Sequence, residues 1–112
     1  MRFAVFALLL WVVPMSALAA NRVYEGDEAA ALRCANTLAL TAVALDSAGA
    51  ISPAEKEVML GVTLLILERH VSGTWADKKA ALRVIRDRRD VLETLKDFER
   101  YAAQCLKQFP IN

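Results

Sequence analysis

The chain has 112 residues, with 14 lysines and arginines against 13 aspartates and glutamates. That length suits one domain, and a formal charge of +1 supplies no excess that would draw it to nucleic acid or to an anionic membrane surface. Its four glycines are isolated, which excludes a glycine-rich phosphate loop, and one histidine with two cysteines excludes the usual zinc and attached-haem spacings.

Residues 1–19 read as a secretory signal peptide. Met1-Arg2 is a short basic start, Phe3 to Val13 is an apolar run interrupted by Pro14, and Ala17-Leu18-Ala19 is a small-x-small cleavage site. No cysteine follows the run, so a lipid anchor is not expected. Cleavage after about Ala19 removes 19 of the 112 residues and leaves a 93-residue helical domain, residues 20–112, in a periplasm. Arg2 is the only charge lost, so 13 basic side chains face 13 acidic ones.

A short polar leader, Ala20 to Gly26, carries one aromatic, Tyr24. Asp27-Glu28 then open a helix with negative charge where the helix dipole favours it. This helix runs to about Ser47, and Gly49 ends it. It is rich in alanine, the strongest helix former. Cys34, Leu38, Thr41 and Leu45 form an inward stripe at helical spacing, and residues 37–45 carry no charge. A turn through Asp46 to Ile51 leads to the second helix.

The start of that second helix is well marked. Ser52-Pro53-Ala54-Glu55 combines an N-cap hydroxyl, proline at the first helical position and a glutamate placed to complete a capping box. Basic residues Arg69-His70 and then Gly73 mark its end. Val58 to Leu67 is uncharged and apolar nearly all round, so it is expected to form the buried centre that the rest of the chain covers. At about 16 Å it is too short to span a bilayer, and no integral membrane span is expected. The competing reading leaves one side open for a partner or for a second copy in a homodimer. Gly61, costing about 1 kcal/mol of helix propensity, would let another helix come close.

Thr74, with Asp77 three residues on, caps a third helix that begins at Trp75. The apolar stripe Leu82, Ile85 is interrupted by Arg86-Asp87-Arg88-Arg89-Asp90 and resumes as Val91, Leu95, Phe98, Ala102, Cys105, Phe109. The six-residue step from Ile85 to Val91 shifts the phase of the stripe. Residues 75–108 are therefore either one long helix or two with a turn in the charged pentad. The cysteines choose between these. Cys34 and Cys105 both lie in the exported part, where one bridge is the simplest outcome. A bridge needs Cα atoms within about 7 Å, and four antiparallel helices bring the start of the first to the end of the fourth, whereas three do not. The expected fold is all-α: a small up-down four-helix bundle with one disulfide linking its first and last helices. Closing a loop of about 70 residues is worth roughly 4 kcal/mol.

Candidate chemistry is sparse. His70 is alone at a helix end, with no His-x3-His, Cys-x2-Cys or carboxylate-rich loop to make it a metal ligand. Ser47, Ser52 and Ser72 sit at helix ends and read as caps. Acids such as Glu55, Glu57 and Glu68 lie on solvated faces, with no pair singled out by spacing. No catalytic residue, cofactor or metal is expected. The densest basic group is Arg83, Arg86, Arg88 and Arg89 with Lys78 and Lys79. Interleaved acids make it a solvated face with internal ion pairs, or a surface that docks an acidic protein or lipid phosphates. Trp75 either closes one end of the bundle or stands out as an anchor for a partner, as tryptophan does at binding hot spots. Tyr24 is a second such anchor. The functional expectation is a non-enzymatic periplasmic protein that binds a protein partner, of the inhibitor, immunity or envelope-complex subunit type. The alternative is a carrier of a lipid or small apolar ligand between the Val58–Leu67 helix and the alanine-rich helix.

Overall fold

The computed structural model describes residues 22–112. The expected signal peptide, residues 1–19, lies outside the described residues. Four helices follow in order: α1 Gly26–Ser47, α2 Pro53–His70, α3 Trp75–Arg88 and α4 Val91–Gln108. No strand occurs among the described residues. The architecture is the expected all-α four-helix bundle, and Cys34 of α1 is bonded to Cys105 of α4 with Cα atoms 5.7 Å apart.

The helix ends form as their residues dictate. At the C-terminus of α1, Gly49 adopts φ +72°, the Gly49 N–H donates to the Asp46 carbonyl and the Ala50 N–H donates to that of Leu45. This pair of bonds caps the last carbonyls of the helix. Both capping boxes are complete: Ser52 and Glu55 exchange hydrogen bonds of 3.1 Å, as do Thr74 and Asp77. The charged pentad does hold the turn. Helix α3 stops at Arg88, Arg89 and Asp90 are extended, and α4 starts at Val91. Arg89 spans the turn to form an ion pair with Asp97.

The organising helix is α1, not the apolar stretch of α2. Helix α1 packs against each of the other three, and no other pair of helices packs extensively. Eight of its residues are buried: Ala31, Leu32, Cys34, Ala35, Asn36, Leu38, Thr41 and Ala42. Small side chains at Ala31, Ala35 and Ala42 let neighbours approach its backbone, so α1 can be enclosed on several sides. It is long and apolar enough to cross a membrane by length and composition alone, but eight of its residues are buried inside the bundle. Helix α2, in contrast, buries only Thr63, Ile66 and Leu67. Its far side is exposed, with Val58 67% and Leu64 53% accessible. Hydrophobicity all round a helix signals burial all round only if enough partners exist to cover it.

The core runs from Ala31, Leu32, Ala35 and Leu38 through Ile66, Leu67 and Val71 to Phe109. The chain end completes it: Phe109 is buried, and His70 stacks edge-on against it with ring centroids 5.4 Å apart. A His70 ring nitrogen bonds to the Pro110 carbonyl at 2.7 Å. His70 is thus a satisfied helix-end residue. Helix α3 packs on α1. One of its flanks, with Ala81, Val84 and Ile85, faces Ala29 to Arg33, and the other, with Leu82 and Arg86, faces Asn36 to Val43.

Candidate functional site

Where α3 packs on α1, an open groove remains on each flank. The first, of about 520 Å³, has a floor of Leu32, Ala81, Val84 and Ile85. Its rim carries Arg22, Arg33, Arg88 and Arg89, and no carboxylate lines it among the described residues. The second, of about 420 Å³, has Ala39, Leu40, Val43 and Leu82 beneath Lys79, Arg83 and Arg86, again with no carboxylate. Asn36 also lines it, and the Asn36 amide nitrogen is buried without a hydrogen-bond partner, as is the Thr41 hydroxyl. A third groove, about 430 Å³ between α1 and α4, is of a different kind: Asp97 is in its wall and neutralises Arg89 there.

The residues singled out by the sequence divide among these features. Arg88, Arg89 and Tyr24 line the first groove; Arg83 and Arg86 line the second. Two of them form ion pairs: Arg86 with its interleaved neighbour Asp87, and Arg89 with Asp97, an acid outside the interleaved set. Arg83, Arg88 and Arg33 have no ion-pair partner among the described residues. Arg33, on α1, was not part of the basic group legible in the sequence, because it is fifty residues from it and joins it only through the α1–α3 contact.

Trp75 is 43% exposed, and the Lys78 ammonium sits 4.8 Å from its ring centroid, in cation–π range. Lys78 itself, expected on the solvated face, is buried to 6% exposure. Its aliphatic stem packs inward while the charge rests against the indole.

Tyr24 is not a free anchor either. The leader is tied across the α2–α3 loop at Ser72. The Arg22 guanidinium donates to the Ser72 hydroxyl oxygen at 2.6 Å, and the Tyr24 hydroxyl donates to the Ser72 carbonyl at 2.7 Å. Ser72 in turn donates from its N–H and its hydroxyl to one carboxylate oxygen of Glu28, each at 2.6 Å. Those two bonds to the ionised form hold the Glu28 pKa below its ordinary value, with help from the nearby charges of Arg22 and Lys78. Desolvation raises the Tyr24 pKa, opposed by the Arg22 guanidinium 4.9 Å from its ring. Gly73, at φ +94°, lets the leader pass: a Cβ there would lie 2.7 Å from an Arg22 nitrogen and 2.8 Å from the Tyr24 hydroxyl.

The seam between α1 and α2, where a carrier would have held its ligand, is closed: Ala31, Ala35 and Ile66 are fully buried in one cluster. No group of three or more metal-ligating side chains occurs among the described residues. In comparison with known proteins, no family model, no curated protein and no solved structure matches this chain.

Proposed function

We propose that this is an exported protein that acts by binding a protein partner, in the manner of an inhibitor, an immunity protein or a subunit of an envelope assembly, and that it catalyses no reaction. Export is supported by the basic start, apolar run and small-x-small site of residues 1–19 together with a pair of cysteines that bond to each other. The observation that carries the binding reading is the outer face of α2. Val58 and Leu64 stand exposed there on either side of Gly61, where an added Cβ would meet nothing within 4 Å.

Apolar surface left in water costs about 25 cal/mol per Å² relative to burial, and a contiguous patch of it marks an interaction surface. Gly61 at the middle of the patch allows a partner's backbone to approach closely. The partner that fits is therefore a protein presenting an apolar helix face.

The test is capture from periplasmic extract on immobilised, disulfide-intact protein, followed by titration of the purified partner. A saturable complex is expected, weakened at least about tenfold by Val58→Arg with Leu64→Arg, since losing about 1.4 kcal/mol of contact already gives that factor. Equal binding by the double variant would place the contact elsewhere, and the absence of any saturable partner would overturn the reading.

A further inference from the structure

We propose that the 520 Å³ groove between α1 and α3 binds an anionic amphiphile, an alkyl chain ending in a carboxylate or phosphate. This goes beyond the protein-binding reading, uses a different surface and does not depend on it. The described residues carry 13 basic and 13 acidic side chains, yet the groove has four arginines on its rim and no carboxylate. That is segregation and not composition.

The four arginines are not equivalent. Arg22 donates to Ser72 and Arg89 is paired with Asp97. Arg33 and Arg88 have no acidic partner among the described residues. Guanidinium groups are suited to clasp carboxylate or phosphate through paired N–H donors, so Arg33 and Arg88 are the two that take the headgroup.

Below them the floor is apolar. Leu32, Val84 and Ile85 form it, and Val84 remains 47% exposed among the described residues. An alkyl chain laid on this floor would remove that surface from water. The volume suits a small ligand: about 520 Å³ falls in the range of about 300–1,000 Å³ typical of small-molecule sites. A groove this small, charged at its rim and oily at its floor, takes one amphiphile better than a protein surface. Free fatty acids and single-chain phospholipids share the required chemistry.

The experiment uses the disulfide-intact protein and the fluorescent probe 11-(dansylamino)undecanoate. Saturable binding with a blue shift is expected, displaced by myristate and by lysophosphatidate. Stronger displacement by one of these two identifies the natural headgroup as carboxylate or phosphate. Myristate methyl ester, which keeps the chain and loses the charge, should compete at least about tenfold more weakly, the scale of losing a charge-assisted hydrogen bond. Arg33→Gln with Arg88→Gln should weaken binding by a similar factor. Val84→Trp, which fills the floor and leaves every charge in place, should also abolish it, while the remote Arg69→Gln should not. Circular dichroism confirms that each variant is folded. The proposal is overturned if the methyl ester competes as well as the acid, if both groove variants bind like the parent, or if inorganic phosphate or an acidic peptide displaces the probe as well as myristate does.

Discussion

Glu28 shows how much local structure one side chain can organise. Its carboxylate receives both donors of Ser72, and Ser72 receives Arg22 and passes its carbonyl to Tyr24. The Glu28 pKa is lowered in the folded protein, so the unfolded chain binds the proton more readily and folding is favoured as pH rises. This contribution is fully present above the ordinary glutamate pKa of about 4.3 and is lost as pH falls through the lower folded value. Urea unfolding at a series of pH values should therefore show the parent protein losing its advantage over Glu28→Gln on acidification, with the two converging in strong acid. A constant difference across that range would mean that Glu28 acts through something other than its charge. Gly73 belongs to the same latch. Gly73→Ala is expected to cost about 1–3 kcal/mol, the scale of a non-glycine residue in the left-handed region. It should also release Tyr24, because Cβ occupies the space of the Tyr24 hydroxyl and the Arg22 guanidinium. Tyrosine fluorescence against a Gly73→Asn control, which tolerates the backbone better, separates the two effects.

At the scale of elements, the helices differ in how they are held. Helix α1 packs against all three other helices, while α3 touches the rest of the bundle chiefly through α1. The only buried residue of α3 is Lys78. Local opening follows buried apolar contact, so amide exchange should be slowest in α1 from about Leu32 to Ala42 and faster in α3 than in α2 or α4. Comparable protection in α1 and α3 would contradict the packing described. Most of the element boundaries were legible in the sequence, because caps are local: Ser52 to Glu55, Thr74 to Asp77 and Gly49 each act within one turn. The α3–α4 break was legible too, through the phase shift across Arg86–Asp90. The rank of the helices was not. The uncharged run Val58 to Leu67 pointed to α2 as the centre, whereas Ala31, Ala35 and Ala42 let α1 be surrounded at close range.

For the whole molecule, the bond between Cys34 and Cys105 joins residues 71 positions apart. The chain-entropy relation gives about 4 kcal/mol for a loop of that length, a large part of the roughly 5–15 kcal/mol that holds a small domain folded. Cys34→Ser with Cys105→Ser should lower the unfolding free energy, read from denaturant titration, by about 4 kcal/mol. The parent should have an intact mass lighter than the reduced chain by one hydrogen per cysteine. A midpoint insensitive to reductant would show that the helices hold together without the bond.

Composition, caps and cysteine placement decided the helical class, the number of helices, where each begins and that the two sulfurs meet, because each is set by neighbours in sequence or by one covalent link. Tertiary structure alone decided that α1 is the hub, that α2 turns an apolar face to solvent, and that Arg33 joins Arg88 and Arg89 over an oily floor. These depend on which faces of four helices remain after packing. That choice is made by the fit of side chains far apart in the chain, such as Ala35 and Ile66 in one buried cluster, which no short stretch of residues records.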